Sequence, residues 1–203
     1  EKALEYLKSR GVGNKLIREY FLGYAPPNGL KNKLLNDGFL EKELIDAGLL
    51  RKSEKNIKPI DIFRDRVMFT IFNEKEEVVG FGGRSMFNSK IKYINSPNST
   101  VFKKGNVLYG FSHARKEKKS GKKLLIVEGY MDVISISKTD FAVAVSSLGT
   151  ALSEIQINLI WKINDKPIIC FDGDNAGKEA AWRFIKRVIP ILNIGKEVYF
   201  SWL

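Results

Sequence analysis

A chain of 203 residues, 44% hydrophobic and 28% charged, can bury a substantial core, and with no run of about eighteen apolar residues and no secretory-signal pattern it points to the cytoplasm. The single Cys170 and single His113 exclude an intrachain disulfide, a structural zinc site and a Cys-His catalytic pair, so any catalytic metal must sit on carboxylates. Thirty-four Lys and Arg against twenty-three Asp and Glu leave a formal charge of +11, which suits polyanionic partners.

The first fifty residues read as short helices. Ala3, Leu4 and Leu7, then Leu16, Ile17, Tyr20 and Phe21, fall at helical spacing, with glycine breaks at 11–13 and 23–29 and a third helix over 41–47. From Arg66 the texture becomes strand-like: 67–72, a charged turn at 73–77, and 78–83, a hairpin. The polar run 115–123 reads as a solvated joint and places a boundary between a unit at 1–115 and a unit at 123–203. Beyond it the pattern alternates strand 123–127, helix 130–137, strand 141–145, helix 153–163, strand 167–171, helix 175–189 and strand 197–202. Such alternation predicts an α/β unit with a mainly parallel sheet flanked by helices, after an α+β N-terminal unit of helices and mixed sheet. Cys170 is expected to be a buried strand thiol.

Three carboxylates fall where the predicted strands end: Glu128 after Leu-Leu-Ile-Val, and Asp172 and Asp174 after Ile-Ile-Cys-Phe. In a parallel sheet, ligands gather beyond the carboxyl ends of the strands. The glycine between Asp172 and Asp174 lets both carboxylates turn toward one point, and hard oxygen ligands suit Mg²⁺ or Mn²⁺. A simpler role exists for each. Asp174 can cap the helix that starts near Asn175, Asp172 can end a strand, and Asp132 sits where a helix dipole favours an acid. The stretch 147–151 can bind phosphate at a helix N-terminus or can be a connection with Ser153 as the cap.

The segments Leu125-Ile126-Val127-Glu128-Gly129-Tyr130-Met131-Asp132-Val133, Ser147-Leu148-Gly149-Thr150-Ala151 and Phe171-Asp172-Gly173-Asp174-Asn175-Ala176-Gly177 resemble the TOPRIM domain of bacterial DnaG-type primases. Upstream, Arg64-Asp65-Arg66-Val67-Met68-Phe69, Gly80-Phe81-Gly82-Gly83-Arg84, Lys92-Tyr93-Ile94-Asn95-Ser96-Pro97 and Phe102-Lys103-Lys104-Gly105-Asn106-Val107-Leu108-Tyr109-Gly110 resemble the signature of the same family's RNA polymerase core, so the likeness covers essentially the whole chain. The resemblance implies a nucleotidyltransferase of DNA replication that makes short RNA primers from ribonucleoside triphosphates on single-stranded DNA by two-metal chemistry. It implies Glu128, Asp172 and Asp174, with Asp132, in the metal cluster, and Arg64, Arg66, Arg84, Lys92, Tyr93, Asn95 and Lys104 toward nucleic acid and nucleotide.

Family members carry a zinc domain before this core and a helicase-binding domain after it, and their acidic pattern continues beyond a strand equivalent to the last one here. The expectation is therefore a monomeric bacterial piece, truncated at both ends, that does not suffice for full catalysis and meets the replicative helicase only through an absent region. Two other classes stand beside it. One is a TOPRIM-type nuclease or topoisomerase, which would cut phosphodiesters. The other is a non-catalytic nucleic-acid-binding module, whose stability and affinity would ignore divalent cations.

Overall fold

The computed structural model describes residues 1–53, 56–87, 91–149 and 151–202; the side chains of residues 53, 56 and 57 also lie outside the description. The elements in chain order are α1 (Lys2–Ser9), α2 (Asn14–Glu19), β1 (Gly23–Ala25), α3 (Leu30–Asn36), α4 (Glu41–Asp46), β2 (Leu50–Ser53), β3 (Asn56–Asp61), β4 (Arg66–Phe72), β5 (Val78–Ser85), β6 (Tyr93–Asn95), α5 (Phe111–Lys116), β7 (Lys123–Val127), α6 (Tyr130–Ile136), β8 (Ala142–Ser146), α7 (Glu154–Ile163), β9 (Ile168–Phe171), α8 (Asn175–Val188) and β10 (Tyr199–Trp202). No helix among the described residues is long and apolar enough to cross a membrane. The chain packs as two units, one of Glu1–Ile71 with Val78–Lys103, the other of Phe72–Glu77 with Lys104–Leu203.

In the first unit the sheet order is β1-β4-β5-β6, with β2 and β3 forming a separate pair. Alternation in β4 buries Val67, Phe69 and Ile71 completely while Met68 and Thr70 stay half-covered, the period of two that a one-sided core imposes. Phe63, Phe102 and Leu50 complete the largest buried side chains of this unit, each contributing roughly 1.5–3 kcal/mol by leaving water. Gly83 is required here, because a Cβ at that position would stand 2.8 Å from the Phe63 ring and 3.0 Å from the Arg66 side chain. Gly80, where a Cβ would meet the Phe102 ring at 3.1 Å, and Gly83 thus make room for the protein's own side chains.

The second unit holds a parallel sheet in the order β10-β9-β7-β8. Central β7 is apolar and buried from Leu124 to Val127, as a strand covered on both faces must be. Leu124, Ile126, Val145, Ile169 and Phe171 pack with Ile157, Ile160 and Trp161 of α7 and Ala181, Phe184 and Val188 of α8. Tyr130, Met131, Val133 and Ile134 of α6 are also buried. The chain leaves β7 toward β8 on one side and β9 toward β10 on the other. The carboxyl ends of β7 and β9 therefore flank a topological switch point, where open α/β sheets bind ligands.

Packing divides the chain at Lys103/Lys104, ahead of the charged run 115–123. The reason is α5, a helix not foreseen, whose Phe111 and Ala114 join Leu108 in the core of the second unit. Tyr109 pairs its backbone with Ser146 at the end of β8, which ties residues 104–116 to the parallel sheet. Cys170 is buried, as expected, and burial pushes its thiol pKa up.

Candidate active site

Glu128 and Asp172 follow directly on β7 and β9, which are hydrogen-bonded neighbours, so parallel pairing delivers both to one edge. Glu128 Oε1 accepts the backbone N–H of Asp172 at 3.2 Å, and both side chains are exposed. The carbonyl of Glu128 accepts the hydroxyl of Ser146 at 2.7 Å, which joins the end of β8 to the same point. Gly177, in the first turn of α8, permits this geometry, since a Cβ there would lie 2.0 Å from the carbonyl oxygen of Asp172.

The other two acids take helix-end positions. Asp174 is the N-cap of α8, its Oδ1 accepting the N–H of Gly177 at 2.8 Å. Asp132 Oδ2 accepts the N–H of Gly129 at 3.0 Å across the start of α6. Among the described residues no three acidic, histidine or cysteine side chains converge closely enough to hold a metal ion. The structure thus brings Glu128 and Asp172 together and leaves Asp174 and Asp132 on caps. The donor chemistry, carboxylate oxygens only, still fits a hard divalent cation. The cap on Asp174 uses one of its two oxygens, and giving up such a bond costs about 1 kcal/mol.

In the first unit, Arg64, Arg66 and Asn95 line a cavity of about 690 Å³ together with Pro27, Arg51, Asp65, Ser85, Phe87 and Ile91. Their parts differ. Arg66 is only 9% exposed, and its guanidinium donates to the carbonyls of Gly83, Lys92 and Ile91, all at 3.2 Å. Burial and the neighbouring charge of Arg64 lower its pKa. Arg66 is thereby a clamp that fixes the 91–92 segment against β5, whereas Arg64 is exposed and makes no hydrogen bond or ion pair with another described residue. Asp65, at φ 50, accepts the hydroxyl of Tyr24 at 2.8 Å, which raises the tyrosine's pKa.

A second group gathers on aromatic faces. The Arg84 guanidinium lies 4.2 Å from the ring centre of Tyr6 and 5.9 Å from that of Tyr93, and Lys92 Nζ lies 6.0 Å from Tyr93. Tyr93 is 37% exposed, so this ring and its two cations can meet a base and its phosphates. Lys104 belongs to the second unit, on the 3-10 turn Lys104–Asn106. Two further residues have no site role in the sequence pattern: Arg51, which reaches the cavity from β2, and Tyr6, which supports Arg84 from α1.

A doubly wound parallel sheet with carboxylates at its switch point, joined in sequence to an antiparallel unit with arginine-lined and aromatic-basic surfaces, defines a TOPRIM-containing nucleic-acid-processing core. Residues 1–115 match the DNA primase catalytic core, N-terminal domain, and residues 122–199 match the Toprim domain. The chain belongs to the DnaG-type bacterial DNA primase family. It is 42% identical to the DNA primase of Pseudomonas aeruginosa over 203 residues, covering 99% of this chain and 31% of that protein. With the DNA primase of Escherichia coli strain K12 the identity is 39% over 204 residues, covering 99% and 35%. The crystal structure of a primase domain from P. aeruginosa superposes with a TM-score of 0.91 at 42% identity, over 100% of this chain and 64% of that one. A DnaG primase catalytic domain bound to single-stranded DNA superposes with a TM-score of 0.88 at 38% identity, over 100% and 63%. The chain spans about a third of the length of the curated relatives it matches.

Proposed function

We propose that this chain is the RNA-synthesising core of a bacterial replication primase, which joins ribonucleoside triphosphates on single-stranded DNA in the cytoplasm. The observation that carries the reading is the meeting of Glu128 and Asp172 at the β7/β9 switch point, in a chain matched by the primase core over residues 1–115. Residues 1–115 supply the basic and aromatic groups, and residues 123–203 supply the carboxylates. Glu128 and Asp172, with Asp174 and Asp132 adjoining them, would hold Mg²⁺ or Mn²⁺, which when bound neutralises phosphate charge and assists attack by the primer 3′-hydroxyl. Exposed carboxylates gathered at one sheet edge repel one another when they approach, and a bound cation offsets that repulsion. Arg64, Arg84, Lys92 and Lys104 attract phosphates, Tyr93 offers a ring for stacking, and Asn95 lines the same cavity as Arg64. Arg66 acts one step back by holding the segment that carries Lys92. The helicase is a partner through chain outside these residues.

The deciding assay is primer synthesis by the full-length protein, from labelled ribonucleotides on single-stranded DNA with Mg²⁺ or Mn²⁺, against its Asp172→Asn variant. Short RNA products that need the metal and vanish in the variant are expected. DNA cleavage would replace the reading with a nuclease or topoisomerase, and DNA binding without either reaction would leave a non-catalytic module.

A further inference from the structure

Gln156 is fully buried and polar, and its side chain is engaged on every side. It stands at the third position of α7, where its backbone N–H donates to the hydroxyl of the N-cap Ser153 at 3.1 Å and its Oε1 accepts the N–H of Ser153 at 3.0 Å. That reciprocal pair needs only one end of the amide. The other end, Nε2, donates to the carbonyl of Lys104 at 3.0 Å and to that of Val107 at 2.7 Å, about fifty residues away in sequence. Ser153 adds a third grip, its hydroxyl donating to the carbonyl of Gly105. Three carbonyls of the four residues 104–107 are therefore held by two side chains from the start of one helix.

The held segment leads to the carboxylates. Two residues past Val107, Tyr109 exchanges backbone hydrogen bonds with Ser146 at 2.9 and 3.1 Å and sets its ring edge-on to Tyr130, 4.7 Å away. Ser146 in turn donates its hydroxyl to the carbonyl of Glu128. A continuous frame within the second unit thus runs from Gln156 through the Lys104 turn to the strand end that bears Glu128. A hydrophobic residue would fill this buried position at lower cost if packing were its only task, because a buried amide must satisfy both donors and its acceptor.

We propose that Gln156 is a positioning residue for nucleotide or template, fixing the 3-10 turn so that Lys104 meets phosphate at a set place relative to Glu128. The inference rests on the reading of Lys104 as a substrate-binding cation. Gln156→Met keeps the volume and removes both donors, while Lys104→Ala removes the charge. The full-length protein, its two single variants and the double variant are compared in KM for ribonucleoside triphosphate, Kd for single-stranded DNA and kcat, alongside thermal midpoints. Lys104→Ala identifies the binding constant that the lysine controls, and Gln156→Met is expected to weaken that same constant by on the order of tenfold with kcat little changed. In the double variant the Gln156 effect vanishes, since no cation is left to position. Effects that multiply independently, or a Gln156→Met variant that loses thermal stability with its binding constants intact, would reduce Gln156 to a structural cap and overturn the proposal. If Lys104→Ala changes neither constant, the underlying reading of Lys104 fails, a result distinct from the other two. Should Gln156→Met not fold, Ser153→Ala, which releases the Gly105 grip together with the N-cap bond to Gln156 N–H but leaves the Gln156 amide its two carbonyls, enters the same cycle, and independence from Lys104 would again overturn it.

Discussion

The carboxylate of Glu128 accepts the backbone N–H of Asp172 at 3.2 Å, so the two acids that end neighbouring parallel strands are locked together by the main chain of one and the side chain of the other. A glutamine at position 128 can keep that bond through its amide oxygen while removing the charge. Glu128→Gln is expected to unfold within about 0.5 kcal/mol of the parent. Primer synthesis should fall by about a hundredfold or more, the usual loss when a charge-stabilising group leaves an active site. Urea unfolding and single-turnover primer extension measure the two quantities, and a variant retaining full synthesis would remove Glu128 from the chemistry.

Asp174 has two candidate duties that different substitutions separate. As N-cap of α8 it needs only an oxygen for Gly177 N–H, which Asn supplies and Ala does not. Asp174→Ala should lose about 1 kcal/mol of stability and Asp174→Asn a few tenths. If the negative charge serves metal binding, both variants lose Mn²⁺ affinity to a similar degree despite their different stabilities. Calorimetric titration of Mn²⁺ beside thermal melts reads this directly. Equal Mn²⁺ affinity in Asn and parent would confine Asp174 to capping.

The second unit was legible in the sequence because its physics is local. Short apolar strands alternate with amphipathic helices, and Glu128 and Asp172 mark strand ends by position alone. What escaped depends on contacts between distant segments. The run 115–123 takes in the end of α5, and its charges masked a short helix anchored by Phe111 and Ala114. Ser153 and Gln156 have the spacing of a capping pair, yet nothing local announces that Gln156 also holds residues 104 and 107. Arg64 and Arg66 are alike on paper. Only the strand geometry, which turns Val67 to the core and surrounds Arg66 with carbonyls, separates the clamp from the exposed cation.

Acid should loosen the β10 side of the parallel sheet. Asp165 is held below its ordinary value of 3.8 by a hydrogen-bonded ion pair with Lys196, and Glu197 below 4.5 by Lys166, with Tyr199 helping. A carboxylate whose pKa is depressed on folding stabilises the folded state above its unfolded pKa, and that contribution fades as pH falls through the folded value. The urea midpoint is therefore expected to hold steady from about pH 7 to 5 and to drop below about pH 4, more shallowly in Lys196→Met. Asp165, Lys166 and Tyr199 are exposed and Lys196 and Glu197 only half-covered, so the difference between variant and parent should shrink in high salt.

Arg64 and Arg66, two residues apart, should fail in opposite ways. The Arg66 guanidinium spans three carbonyls, of Gly83, Ile91 and Lys92, from a largely buried position. A lysine ammonium keeps the charge but cannot reproduce a planar fork, so Arg66→Lys is expected to lose about 1–3 kcal/mol of stability by leaving buried acceptors unpaired. Its effect on DNA then follows from a loosened segment around Lys92. Arg64→Ala should leave the melting temperature within about a degree, as surface substitutions do. It should weaken single-stranded DNA binding with a salt dependence shallower by about one phosphate contact. Fluorescence anisotropy across a salt series, paired with melts of both variants, tests the division. An Arg66→Lys protein as stable as the parent would deny the clamp, and an unchanged salt slope in Arg64→Ala would take Arg64 off the nucleic-acid path.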